Sequence, residues 1–161
     1  MPTDSAIAAV ITLREVTADS VRAVTSLRVA PEQEAYVASN AVSIAQAYFH
    51  KEAWFRSVYA GNDLVGFVML RDSTLLDADT RKPEISLWRF MIDQRFQKLG
   101  YGRRALQLVL AHARSRPGIM SIQTSYVVGP HGPRDFYLCS GFRQTGVVNP
   151  NGEVCLTLDF G

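Results

Sequence analysis

The stretch that most restricts what this chain can become is QKLGYG, residues 97–102. An apolar run, residues 84–92, precedes it. After it, Leu106, Val109, Leu110 and Ala113 recur at i, i+3, i+4 and i+7, one face of an amphipathic helix. The order is therefore strand, glycine turn, helix. Gly100 and Gly102 leave bare backbone at the helix start, where N–H groups are unpaired and the dipole end is positive. Arg95, Lys98, Arg103 and Arg104 flank the turn. Cations in a first helical turn cost ~0.3–1 kcal/mol each unless an anion compensates. The pattern predicts a polyphosphate site. The plain alternative is a tight turn with solvated charges.

Two familiar phosphate loops fit poorly. The G-x-x-x-x-G-K-S/T signature is missing. GYGRRA, residues 100–105, matches the loose dinucleotide pattern GxGxxG/A, but residues 119–127 contain no acid to hold a ribose. The glycines also follow an apparent hairpin instead of opening a βαβ unit.

The rest of the chain builds around that unit. Residues 10–16 read as a strand and 19–28 as a helix with Asp19 as N-cap. Pro31 interrupts, and residues 32–37 and 43–49 read as short helices, the second capped by Ser43. Residues 54–60 and 64–70 are strands around the Gly61-Asn62-Asp63 turn. Residues 72–83 form a polar loop, and 119–127 another strand. Residues 134–140 form a short helix, with Pro133 in its first turn and Gly141 as C-terminal cap. Residues 143–148 and 153–160 close with a hairpin, and residues 1–9 are expected to fray. The order β-α-α-α-β-β-β-α-β-α-β-β predicts a mixed α/β fold in a single domain spanning residues 1–161.

Bulk properties narrow the function. A net charge of +2 offers no global case for nucleic-acid or membrane binding. Cys139 and Cys155 form neither a disulfide framework nor a CxxC pair and read as reduced thiols. No spacing suits a metal, so none is expected. The start lacks a signal-peptide pattern and no apolar run approaches ~18 residues, so a soluble cytoplasmic protein is expected.

Two motifs together resemble the GNAT superfamily of N-acetyltransferases. The first is strand, then Gln/Arg-x-x-Gly-x-Gly/Ala, then helix, here RFMID (residues 89–93) followed by QKLGYG. The second is a short helix bearing Y-x-x-x-G-F, here YLCSGF at residues 137–142. The resemblance covers most of the chain, most specifically residues 84–160. It implies a GNAT-like mixed sheet of about seven strands flanked by about four helices, splayed into an acetyl-CoA cleft. Phe90, Met91 and Ile92 would pair with the pantetheine arm. The backbone of Gln97, Lys98, Leu99, Gly100, Tyr101 and Gly102, with Arg103, would hold the pyrophosphate. Phe136 would line the same site. Family members often carry an Asn seven residues before the motif tyrosine, where this chain has Pro130. The run GPHGPRDFY, residues 129–137, is similar to a subset lacking that Asn, and His131 is a candidate to fill the gap.

Acetyl transfer needs a neutral amine, a polarised carbonyl and a proton for the leaving thiolate. Tyr137 is the expected general acid, because a phenol with pKa ~10 is protonated at neutral pH. Packing of the last helix is its plainer role. The N–H of Met91 or Ile92 would polarise the carbonyl where the strand bends. Glu84 is the expected base, with Glu153 as the alternative. His50 and His112 read as structural.

PEQEAYVASN (residues 31–40), SIAQA (residues 43–47) and LWRFMID (residues 87–93) resemble the bacterial diamine and polyamine acetyltransferases. The resemblance implies a small primary amine, a polyamine among the options, met by Glu32, Glu34 and Trp88, with Glu52 and Tyr36 nearby. A peptide N-terminus or aminoglycoside-like amine is the alternative acceptor. A non-catalytic CoA-binding module is the alternative class. A homodimer is a family-based expectation.

Overall fold

The computed structural model describes residues 8–77 and 81–161. Residues 1–7 of the expected frayed start and residues 78–80 of the expected polar loop lie outside the described residues. The strands are Ile11–Arg14 (β1), Ala53–Ala60 (β2), Asp63–Asp72 (β3), Ile85–Ile92 (β4), Ser121–Tyr126 (β5), Arg143–Val148 (β6) and Val154–Asp159 (β7). The α-helices are Val21–Ser26 (α1), Asn40–Tyr48 (α2), Tyr101–Arg114 (α3) and Arg134–Cys139 (α4). All seven strands join one sheet in the order β1-β2-β3-β4-β5-β7-β6. The expected class is observed, and the element order matches except at the second of the three early helices.

β3 is the spine. It is apolar without alternation because both its faces are covered. Phe67 and Met69 face α1 and α2, meeting Val24 and Leu27. Val68 and Leu70 face α3, meeting Leu106, Val109 and Ala113. The i, i+3, i+7 stripe of α3 read from sequence is thus its buried face, with Leu110 packed partly buried at the edge.

Local chemistry moved three boundaries. α1 begins after Ser20 without a side-chain cap, so Asp19 is not the N-cap. α2 begins at Asn40, because the Ser39 hydroxyl accepts the Val42 N–H at 3.2 Å. Ser43 lies inside that helix and is buried. The segment expected as a helix over residues 32–37 is a 3-10 turn, Pro31–Tyr36.

β4 and β5 are parallel and share one paired position, Ser86↔Gln123. Just past it, the Thr124 hydroxyl donates to the Leu87 carbonyl at 3.1 Å. Beyond that point the strands separate toward the end of β4 that carries the glycine turn. The expected splay is therefore present. β4 also bulges. Met69 faces Arg89 and Leu70 faces Leu87, so Trp88 is the extra residue.

Asp93 fixes the exit from β4. Its buried carboxylate accepts the Arg28 N–H at 2.9 Å and the Arg95 N–H at 3.0 Å, and pairs with Arg95 Nε at 2.8 Å. Burial works against its charge, yet the Arg95 side chain and the two backbone donors hold its pKa below the usual carboxylate range. A depressed carboxylate stabilises above its unfolded pKa of ~3.9 and loses that stability as pH falls through the lower folded value. Asp93→Ala is expected to cost about 1–3 kcal/mol at pH 7 by stranding two backbone donors. Thermal melting should show the gap to wild type narrowing only below about pH 4.

Candidate active site

The splay opens a cleft of about 1270 Å³ between β4 and β5. At one end stands the glycine turn. Gly100 is the N-cap of α3 with φ 84°, a left-handed conformation that side chains rarely adopt. A Cβ built there meets nothing within 4 Å, so the backbone faces open space. A Cβ on Gly102 would sit 3.4 Å from Ile92 and 3.6 Å from Phe136. That glycine lets both side chains close against the helix start. Bare N–H groups, a 14-residue helix dipole and open space fit a phosphate group.

The four cations divide. Lys98 and Arg103 line the cleft. Arg95 is held by Asp93, and Arg104 donates to the Ala9 carbonyl. The Gln97 side-chain amide is occupied, donating to Gln33 Oε1 at 2.8 Å and to the Ile92 carbonyl at 2.9 Å, and the residue lines the cleft. Leu99 packs inward with the Ile92 and Tyr101 cluster and is not among the cleft-lining residues.

Along β4, the Asp93 N–H bonds the Val65 carbonyl at 2.8 Å, toward β3. Strand alternation then aims the polar groups of Met91 at β3 and those of Phe90 and Ile92 across the splay. Of the two expected carbonyl-polarising amides, Ile92 faces the cleft and Met91 does not. The bend expected at that pair lies instead at Trp88.

Tyr137 sits in α4 and lines the cleft while packing edge-on against Phe136 and Phe142, with ring centroids 5.5 Å away in both cases. Phe136 stacks on Phe90 at 5.8 Å. Burial pushes the Tyr137 phenol up to about 12, and hydrogen bonding with Thr124 pulls it slightly back. The group is therefore a proton holder across the neutral range.

The expected base is misplaced. Glu84 is exposed before β4, with its N–H donating to Ser73 Oγ at 2.8 Å, and it does not line the cleft. Glu153 does. Its Oε2 accepts Asn149 Nδ2 at 3.0 Å and Ser125 Oγ at 3.4 Å. Strand-end position is alike for both residues in sequence. What separates them is that β7 inserts beside β5, which no local pattern reveals.

On the opposite wall, Glu34 and Trp88 line the cleft as expected, whereas Glu32 is exposed outside it. Glu52 pairs with His50 at 3.1 Å. Sequence reasoning missed Arg71 and Arg89, which also line the cleft. Their signal was an Arg inside an apolar strand run and another at the end of β3. Tyr36 spans the opening. Its hydroxyl donates to the Pro130 carbonyl, and its ring packs on Gly129 and Gly132, where Cβ atoms would crowd it. The loop that lacks the family Asn is thus docked on Tyr36, with His131 at φ 60° lining the cleft beside it.

Residues 21–142 match the sequence profile of the acetyltransferase (GNAT) family. The chain is 29% identical over 146 residues to a spermine/spermidine N(1)-acetyltransferase of Bacillus subtilis (strain 168), covering 89% of this chain and 94% of that one. Its fold is similar to the aminoglycoside acetyltransferase AAC(6')-Ib in complex with coenzyme A, with TM-score 0.74 and 13% identity over 94% of this chain and 95% of that one. It is also similar to the PaiA N-acetyltransferase of Thermoplasma acidophilum in complex with coenzyme A, with TM-score 0.63 and 13% identity over 94% and 99% of the two chains.

Proposed function

The chain belongs to the acetyltransferase (GNAT) family and is an acetyl-CoA-dependent N-acetyltransferase; from that premise we propose that it acetylates a primary amine of a small molecule by direct attack, with Tyr137 as the acid. The observation that carries this reading is the shared cleft. Its lining includes the open backbone of a helix start at one end, the outward-facing backbone of Phe90 and Ile92, and a protonated phenol.

The division of labour follows from position. The backbone of residues 97–102, with Lys98 and Arg103, binds pyrophosphate. Phe90 and the Ile92 N–H pair with the pantetheine amides, the arm running from the pyrophosphate turn back along β4 toward Trp88. The neutral amine attacks the carbonyl carbon, a C–N bond forms and the C–S bond breaks. Tyr137 donates to the departing sulfur. Glu153, through water, receives the proton that the nitrogen sheds.

A polyamine acceptor is supported by the name of the Bacillus relative and by Glu34 and Glu153, the carboxylates of the cleft lining. A thiol-release assay tests the whole reading. With acetyl-CoA and a panel of spermine, spermidine, putrescine, an aminoglycoside, free amino acids and a short peptide, release is expected with one class of primary amine. Silence across the panel, with CoA still raising the melting temperature, would leave a CoA-binding protein without transferase activity.

A further inference from the structure

The acceptor end of the cleft holds two guanidiniums that acetyl transfer does not use. The β4 bulge turns Trp88 and Arg89 toward α2 together. Arg89 Nη2 donates to Gln46 Oε1 of α2 at 3.2 Å, and Nη1 donates to the Trp88 carbonyl at 3.0 Å. Both partners are neutral. The Arg89 Nε is shielded from solvent and has no hydrogen-bond partner. Arg71 lies over the same Trp88 ring, 4.0 Å from its centroid, with Arg89 at 5.3 Å.

Among the described residues, no carboxylate comes within 4.0 Å of either guanidinium. Glu52, which senses Arg71, is already paired with His50 at 3.1 Å. Glu153 acts on Arg89 only at longer range. A half-buried guanidinium with neutral partners and a stranded N–H is costly to keep. The Arg89 Nε is closed to the cleft, but Nη1 and Nη2 each keep a second N–H, and Arg71 is exposed beside them, so a carboxylate entering the cleft would meet guanidinium donors from both residues.

We propose that the Arg71–Trp88–Arg89 cluster binds a carboxylate carried by the acceptor, so that the preferred amine is an amino-acid-type molecule with ammonium and carboxylate together. Glu153 faces the ammonium end, and the arginines face the carboxylate. A polyamine places only positive charge against Arg71 and Arg89, which disfavours it. This inference rests on the acetyl-transfer reading and departs from its polyamine version.

Matched acceptors isolate the carboxylate. Ornithine and putrescine differ only in that group, as do lysine and cadaverine. The wild-type protein is expected to favour ornithine and lysine in kcat/KM by about 10–100-fold, the range of one charge-assisted bidentate contact. Arg89→Gln, which can keep the Gln46 contact, is expected to bring that ratio to about 1, mainly through KM, with the CoA-induced melting shift retained. Arg71→Gln provides the same test if Arg89→Gln does not fold. Equal or better turnover of the diamines, or an unchanged ratio in both variants, would overturn the carboxylate site and leave acetyl transfer standing. Silence from every amine would count against acetyl transfer. In that case calorimetric titration of ornithine onto the CoA-bound protein decides the carboxylate site alone. Heat lost in Arg89→Gln supports it, and no heat with wild type rejects it.

Discussion

Gly100→Glu is expected to abolish CoA binding. The substitution acts twice at one position. The backbone there has φ 84°, so any side chain is strained, by about 1 kcal/mol relative to glycine. The new carboxylate also extends into the open space over the α3 N-terminus, where pyrophosphate would sit. It would accept the N–H donors meant for phosphate and oppose the ligand's charge. Calorimetry should show CoA affinity falling by about 100-fold or more, the loss of two charge-assisted contacts. Gly100→Ala separates the causes. It carries the strain without the charge and is expected to lower the melting temperature modestly while keeping most of the affinity. Affinity retained in Gly100→Glu would reject this placement of the pyrophosphate.

Tyr137→Phe is expected to slow turnover by about 100-fold while leaving CoA affinity intact, since positioned acids contribute at least that much. The ring stays wedged between Phe136 and Phe142, so the fold has little reason to change. Because burial lifts the phenol to about 12, Tyr137 stays protonated below about pH 10. The wild-type rate should therefore show no alkaline loss from this group below that pH. The same shift has a stability sign. The folded state favours the neutral phenol, so that contribution is complete below the unfolded pKa of ~10 and is lost as pH rises through about 12. Melting curves of wild type should fall faster than those of Tyr137→Phe in that window. An unchanged rate in Tyr137→Phe would remove Tyr137 from the chemistry.

The parts readable from sequence were those in which local pattern and function coincide. The glycine turn needs bare backbone for its own conformation and for its ligand, so QKLGYG announced both. The α3 stripe and the β2–β3 hairpin carry periodicity and turn chemistry in adjacent residues. Unreadable parts depend on contacts between distant segments. Glu84 and Glu153 look alike at strand starts, and only the insertion of β7 between β5 and β6 brings Glu153 to the cleft. Arg95 and Arg104 looked like phosphate ligands, but Asp93 and the Ala9 carbonyl claim them. The bulge at Trp88 leaves no mark on an apolar run, so the direction of Arg89 could not be foreseen.

The bond from Tyr36 to Pro130 joins residues 94 apart in sequence. The turn bearing Tyr36 is tied to the β4 side through Gln33, Gln97 and the Ile92 carbonyl, while Pro130 follows β5. The two walls are also fastened at Ser86 and Gln123. Joined at both margins, they form an eyelet instead of a trough. Such a ring is expected to select acceptors by girth more than by length, so that a slender amine enters more readily than a lysine on a folded protein surface.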